Sequence, residues 1–273
     1  MKITASDVNK LRQSTGAGMM DCKKALEESN GDFEKAVEIL RKKGQKVAAN
    51  RADRESSEGV VLAKVSDDNT YGIIISLNCE TDFVAKNEEY IQLAQSLASH
   101  ALNYSDKDSF LNSEFEGMKV SDKLLEQTGV IGEKIEIGSF EYLESEFVGS
   151  YVHAGSKIAS IVGLSEKFDN ADEVSKDISM QVAAMNPVAL DENGVSQEII
   201  EKEIEIAKDQ LRQEGKPEEM LDNIAKGKLK KFFKENTLVN QQFIKDNKQS
   251  ISDYLKSKSE NASVTGFARI GLV

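Results

Sequence analysis

Apolar positions along the chain change their period several times, and each change marks a different kind of element. Between residues 4 and 44 they recur at helical spacing. Thr4, with Asp7 three positions on, signals a helix start; Val8 and Leu11 share one face; Gly16 and Gly18 allow a sharp reversal. A second helix carries Met19, Cys22, Ala25 and Leu26. Asn30-Gly31-Asp32 stops it and lets Asp32 cap a third, with Phe33, Ala36, Val37 and Leu40 turned inward and Gly44 at its end. The polar stretch 45–57 reads as a linker or exposed bridge, with a continuing helix as the alternative.

From Gly59 the pattern turns β-rich. Residues 60–65 and 71–77 predict a hairpin about Asp67-Asp68-Asn69, and the consecutive Ile73, Ile74 and Ile75 predict a strand covered on both faces. A helix follows with Tyr90, Leu93, Ala94, Leu97, Ala98 and Ala101 as its stripe. Residues 102–127 hold at least one more helix, and Ile135-Glu136-Ile137-Gly138 closes this module. The layout then returns: strands at 140–143 and 147–152, a turn at His153-Ala154-Gly155-Ser156, an apolar strand at 157–164 and a helix at 171–185. Beyond Pro187, Ile200, Ile204, Ala207 and Leu211 form a narrow stripe on a charge-rich helix. Pro217 restarts the chain as a return helix with Leu221, Ile224, Lys228 and Phe232. One further helix near 250–257 and a last strand at 264–272, suited to closing the second sheet, complete the chain.

The expected fold is therefore α+β: a three-helix N-terminal domain, two related antiparallel-sheet and helix core modules, and a projecting antiparallel coiled-coil hairpin. In residues, 1–53 form the head and linker, 54–138 the first core module, 139–186 the second, 187–234 the hairpin, and 235–273 a segment returning to the second module.

Charge narrows the partners. Asp and Glu exceed Lys and Arg by 47 to 35, a formal net charge of −12, which disfavours direct nucleic-acid binding by the chain as a whole. The run Lys226-Gly227-Lys228-Leu229-Lys230-Lys231 accordingly reads as a solvated helix face. No apolar run reaches membrane-spanning length, the opening residues carry no apolar signal segment, and the two cysteines, Cys22 and Cys79, lack metal-ligand spacing. Reduced core thiols in a cytoplasmic protein, away from membranes, are expected.

Chemistry is sparse. No HExxH, CxxC, GxSxG, Walker or GxGxxG pattern occurs, so neither a catalytic centre nor a cofactor or metal site is expected. His100 and His153 fall in different modules, and an enzyme built on Asp82 and His153 would need those two to converge. The informative segment is Cys79-Glu80-Thr81-Asp82-Phe83-Val84-Ala85-Lys86-Asn87, directly after an apolar strand. Two readings stand. Thr81 caps the next helix and Phe83 packs inward, or Phe83 stands out for a partner that removes it from water.

Two stretches together carry a resemblance. Leu11-Arg12-Gln13-Ser14-Thr15-Gly16-Ala17-Gly18-Met19-Met20-Asp21-Cys22 and Asn78-Cys79-Glu80-Thr81-Asp82-Phe83-Val84-Ala85-Lys86-Asn87 resemble the bacterial translation elongation factor Ts family, and the likeness extends over essentially the whole chain. The resemblance implies a guanine-nucleotide exchange factor for elongation factor Tu, performing no hydrolysis. It implies a ubiquitin-associated-like head that docks on the partner's nucleotide-binding domain through Met19 and Met20. It places Asp82 and Phe83, flanked by Thr81 and Val84, as an intruding motif near the partner's switch region, and turns His153 toward the partner's other domains. The long hairpin corresponds to the family's coiled-coil arm. GDP, GTP and magnesium belong to the partner; this chain binds no cofactor. A binding-only or chaperone-like partner of the same GTPase is the alternative.

Overall fold

The computed structural model describes residues 3–272. They form two compact units, one of residues 3–62 and 75–140 with Leu272, the other of residues 63–74 and 141–271.

The first unit opens with α1 (Ala5–Thr15), started by a reciprocal box in which Thr4 Oγ1 accepts from Asp7 N and Asp7 accepts from Thr4 N. Gly16, at φ +67°, ends it. Next comes α2 (Met19–Glu28), then α3 (Phe33–Arg51), capped as expected by Asp32, which accepts from Lys35 N. Leu11, Cys22, Ala25, Leu26 and Ala36 make the core of this head. Met19 does not join that core; it lies exposed.

Helix α3 also departs from expectation. It does not stop at Gly44 but continues to Arg51, so most of the expected linker is helix. Its Lys, Gln and Ala residues are good helix formers. Gly44 serves instead as a crossing point: a Cβ on Gly129 would overlap the Gly44 Cα, so two bare backbones meet there.

Strands β1 (Glu58–Val65) and β2 (Tyr71–Cys79) follow, then α4 (Asp82–Ala85), α5 (Glu88–Ala101), α6 (Lys107–Asn112), the two-residue strands β3 (Glu114–Phe115) and β4 (Met118–Lys119), α7 (Val120–Ile131), which carries Gly129, and β5 (Glu136–Glu144). The sheet order is β1-β2-β5, and its strands contribute residues to both units. The central place of β2 explains the full burial of Ile73, Ile74 and Ile75. The strand expected at 140–143 is the end of β5, so it belongs to this sheet and not to the second one. Gly138 and Ser139 do not end the strand as the sequence suggests; Ser139 N donates to Ser76 Oγ at 2.8 Å, and the chain runs on extended to Glu144.

In the second unit, β6 (Phe147–Val152), β7 (Ile158–Leu164) and α8 (Ala171–Met185) lie where the pattern put them. Then come α9 (Gln197–Gln213), α10 (Glu218–Asn236), β8 (Gln242–Phe243), β9 (Asp246–Ser250), α11 (Ile251–Lys258) and β10 (Val264–Gly271). The antiparallel order β10-β7-β6 shows the last strand closing the second sheet, with Leu164 opposite both Phe147 and Val264. Val162, Leu164, Val174, Ile178 and Val182 pack with Leu238, Phe243, Ile251 and Tyr254 in one core. Buried Asp177 is satisfied by Tyr254 Oη at 3.0 Å and Lys245 Nζ at 2.5 Å. Lys208–Asp222 and Arg212–Glu218 pairs show that α9 and α10 run antiparallel; Ala207, Leu211, Leu221 and Ala225 fill their seam, and Ile200 and Ile204 are half-buried. Several helices on small antiparallel sheets make the chain an α+β protein.

Candidate functional site

Chemistry of recognition concentrates where β2 ends. Thr81 is extended and caps α4, its Oγ1 accepting from Val84 N at 3.5 Å. With only four residues, α4 cannot sustain itself by its own ladder. Ala85 turns inward, Val84 is half-buried, and Phe83 stands 84% exposed. One of the two sequence readings is thus half met: Thr81 caps the helix, but Phe83 does not pack inward. An aromatic ring this open gains nothing from the fold, so its apolar surface is available to a partner.

The support behind the ring is polar and closed. Glu133, just after α7, accepts at Oε2 from the backbone N–H groups of Glu80 and Thr81, each at 3.0 Å, and at Oε1 from the Thr81 hydroxyl at 2.6 Å. Glu80 answers in the other direction: its Oε1 accepts from Lys134 N and from Arg51 Nη1, both at 2.7 Å. Burial opposes ionisation of Glu80, but the Lys134 N–H and the Arg51 guanidinium outweigh it and hold the carboxyl below its ordinary range. Asp82 pairs with Lys86 Nζ at 2.6 Å along α4, which raises the Lys86 ammonium pKa. The next helix is pinned as well: Asn87 caps α5, and Tyr90 Oη donates to Leu77 O at 2.7 Å in a buried setting that pushes the phenol pKa upward.

Beside the ring lies a cleft of about 560 Å3, lined by Gly16, Phe83, Val84, Gln127, Val130 and Ile131 among others. The α1–α2 turn therefore reaches the same cleft as the Phe83 loop. Met19 and Met20 begin α2, 57% and 62% exposed, after a Gly18 that offers no side-chain cap. Flexible thioethers in water at a helix start are an adaptable contact surface.

The remaining candidates are structural or separate. His153 is in the second unit, exposed at the β6–β7 turn, with Nδ1 3.0 Å from Tyr151 Oη. Asp82 belongs to the first unit and is engaged by Lys86. His100 packs among Tyr104, Phe110 and Phe115, its Nε2 2.8 Å from Ser113 Oγ, and burial lowers its pKa. Cys22 and Cys79 are both buried, with Cys79 Sγ donating to Thr81 O. Among the described residues no cluster of three His, Cys, Asp or Glu is arranged to hold a metal ion, and no helix is long and apolar enough to cross a membrane. Sequence reasoning passed over Glu133, Glu80 and Arg51. Nothing local marks Glu133, because its partners lie 52 and 53 residues away.

The family model described as elongation factor TS matches residues 80–272, beginning at the clamped loop itself. Elongation factor Ts of Christiangramia forsetii is 65% identical over 271 residues, covering 99% of both chains. The chain belongs to the elongation factor Ts family. The Flavobacterium psychrophilum member of the elongation factor Ts family is 61% identical over 99% of this chain and 98% of its own length, and that of Porphyromonas gingivalis is 46% identical over 100% and 99%. These matches take in the head as well, so Met19 and Met20 fall within the shared length. Elongation factor Ts family proteins promote guanine-nucleotide exchange and do no covalent chemistry of their own, and this is the role that membership gives the chain.

Proposed function

We propose that the chain engages elongation factor Tu in its GDP-bound state and speeds release of GDP, with magnesium, by inserting Phe83 beside the partner's switch region. It then holds the nucleotide-free partner until GTP rebinds. The observation that carries this is Phe83 itself: an almost fully exposed ring on a four-residue helix whose base is clamped by Glu133.

Burying a Phe side chain contributes roughly 1.5–3 kcal/mol. If that energy is realised only in the partner's open conformation, it weakens nucleotide binding by about tenfold for each ~1.4 kcal/mol. Coupling is reciprocal, so incoming nucleotide loosens the exchanger in turn. Asp82 adds negative charge beside the ring. Direction is then set by nucleotide supply, not by the exchanger.

The rest of the chain is read as supporting grips. Residues 1–53, a ubiquitin-associated-like head, dock through Met19 and Met20. Residues 54–138 and 139–186 form two related core modules, the segment 235–273 returns to the second of them, and residues 187–234 form a coiled-coil arm. His153 contributes a contact from the second module. Thr81 and Val84 frame the wedge. The working location is the cytoplasm, with no direct nucleic-acid contact and no membrane.

Stopped-flow release of fluorescent GDP from elongation factor Tu tests the reading. The parent chain accelerates release and Phe83→Ala loses most of that acceleration. Equal acceleration by both chains would assign exchange to other contacts. Binding without acceleration by the parent would leave a binding-only or chaperone-like partner.

A further inference from the structure

A four-residue helix does not orient a side chain unaided, yet Phe83 leaves α4 from its second residue. Its direction must come from whatever fixes the first turn. That turn has one side-chain cap, Thr81 Oγ1, and the Thr81 hydroxyl proton is taken by Glu133 Oε1 at 2.6 Å. With the proton committed there, the oxygen's lone pairs face Val84 N. The second Glu133 oxygen meanwhile gathers two successive backbone N–H groups, from Glu80 and Thr81. One carboxylate therefore controls both the path of the backbone into α4 and the cap that starts it.

We propose that Glu133 is a positioning residue for exchange, setting the angle at which Phe83 is presented. The inference rests on the reading of Phe83 as the wedge and goes beyond it by naming what aims the wedge. Glu133 follows Gly132, whose φ of +82° turns the chain out of α7. Val130 and Ile131, immediately before, line the cleft beside Phe83. The segment that floors the cleft thus also holds the loop. Glu80, bonded to Lys134 N and Arg51, reciprocates from the other side, so the two chain segments cannot slide past each other without breaking charge-assisted bonds.

A double-mutant cycle separates positioning from general support. The parent, Phe83→Ala, Glu133→Ala and the double variant are compared for the maximal rate of GDP release from the partner GTPase and for the exchanger concentration giving half that rate. Removing the carboxylate leaves half-buried N–H donors unmet, and the maximal rate is expected to fall about tenfold. Half-saturation should move by less than about twofold, and in the Phe83→Ala background the same change should add less than about twofold again. Glu133→Gln keeps an acceptor for the two N–H groups and an amide donor for Thr81 Oγ1, so it should retain most of the rate.

Equal losses in both backgrounds would overturn the proposal, as would an unchanged maximal rate or a loss confined to half-saturation. A silent Phe83→Ala overturns the wedge reading itself, a result distinct from either. If Glu133→Ala does not fold, Glu133→Asp, which keeps the charge on a shorter arm, enters the cycle in its place with the same expectations.

Discussion

The loop at residues 80–87 and the α9–α10 helix pair both leave apolar side chains in water, Phe83 in the first and Ile206 and Met220 in the second. What stands behind them differs. The loop is held by contacts from 52 to 54 residues away in sequence, made by half-buried carboxylates on backbone donors. The helix pair is held by a thin seam of Ala207, Leu211, Leu221 and Ala225, and by ion pairs whose members are largely exposed. Exposed pairs of that kind contribute about 0–1 kcal/mol each. An exposed apolar residue is therefore a strong functional signal only where its support is rigid; on the helix pair it is an ordinary surface feature.

The difference can be probed in order of expected size. Leu211→Ala empties one of few seam positions and should destabilise the helix pair by about 2–5 kcal/mol. Hydrogen exchange should show faster opening of α9 and α10 while the amides of Glu80 and Thr81 stay protected; equal loosening of both regions would erase the contrast. Phe83→Ala should do the opposite. It should change stability by no more than about 0.5 kcal/mol, since the ring is exposed, while removing exchange activity worth roughly 1.5–3 kcal/mol of coupling. A large fall in melting temperature would mean that Phe83 is structural after all.

Acid should discriminate next. The ordinary value for Glu80 is 4.5, and in the fold its carboxyl lies lower because the Lys134 N–H and Arg51 outweigh the effect of burial. The folded chain thus binds that proton more weakly than the unfolded chain. The contribution of Glu80 is complete above pH 4.5 and is lost as pH falls through the lower folded value. Exchange at Lys134 N, corrected for its intrinsic rate, should accelerate over that window in the parent and be pH-insensitive in Glu80→Gln. The smallest effect belongs to Arg212→Ala, which breaks solvent-screened pairs with Asp209 and Glu218 and should lower the melting temperature only slightly. High salt should abolish even that; a loss persisting in salt would show that the arginine stem packs the seam.

Much of the fold was legible. Caps at Thr4 and Asp32, breaks at Gly16 and Pro187, and the strands at 147–152 and 158–164 each announce themselves within a few residues, because capping, turn chemistry and side-chain alternation are local effects. Gly44 misled for a physical reason: glycine ordinarily ends a helix, and only the approach of Gly129, 85 positions later by number (129 − 44), gives it a different task. The two-residue strands β3, β4 and β8 are too short to carry an alternation, and β9, Asp246-Asn247-Lys248-Gln249-Ser250, is polar throughout.

The candidate site divides along the same line. Sequence by itself singled out Thr81, Asp82, Phe83 and Val84 at a strand end, identified Thr81 as a cap, and left the direction of Phe83 open between core and solvent. That choice belongs to the tertiary structure. A cap sets where a helix begins, but which way its second residue points depends on groups brought in from distant segments. Here those groups are Glu133, Lys134 and Arg51, whose hydrogen bonds exist only after β2, α3 and the end of α7 have come together.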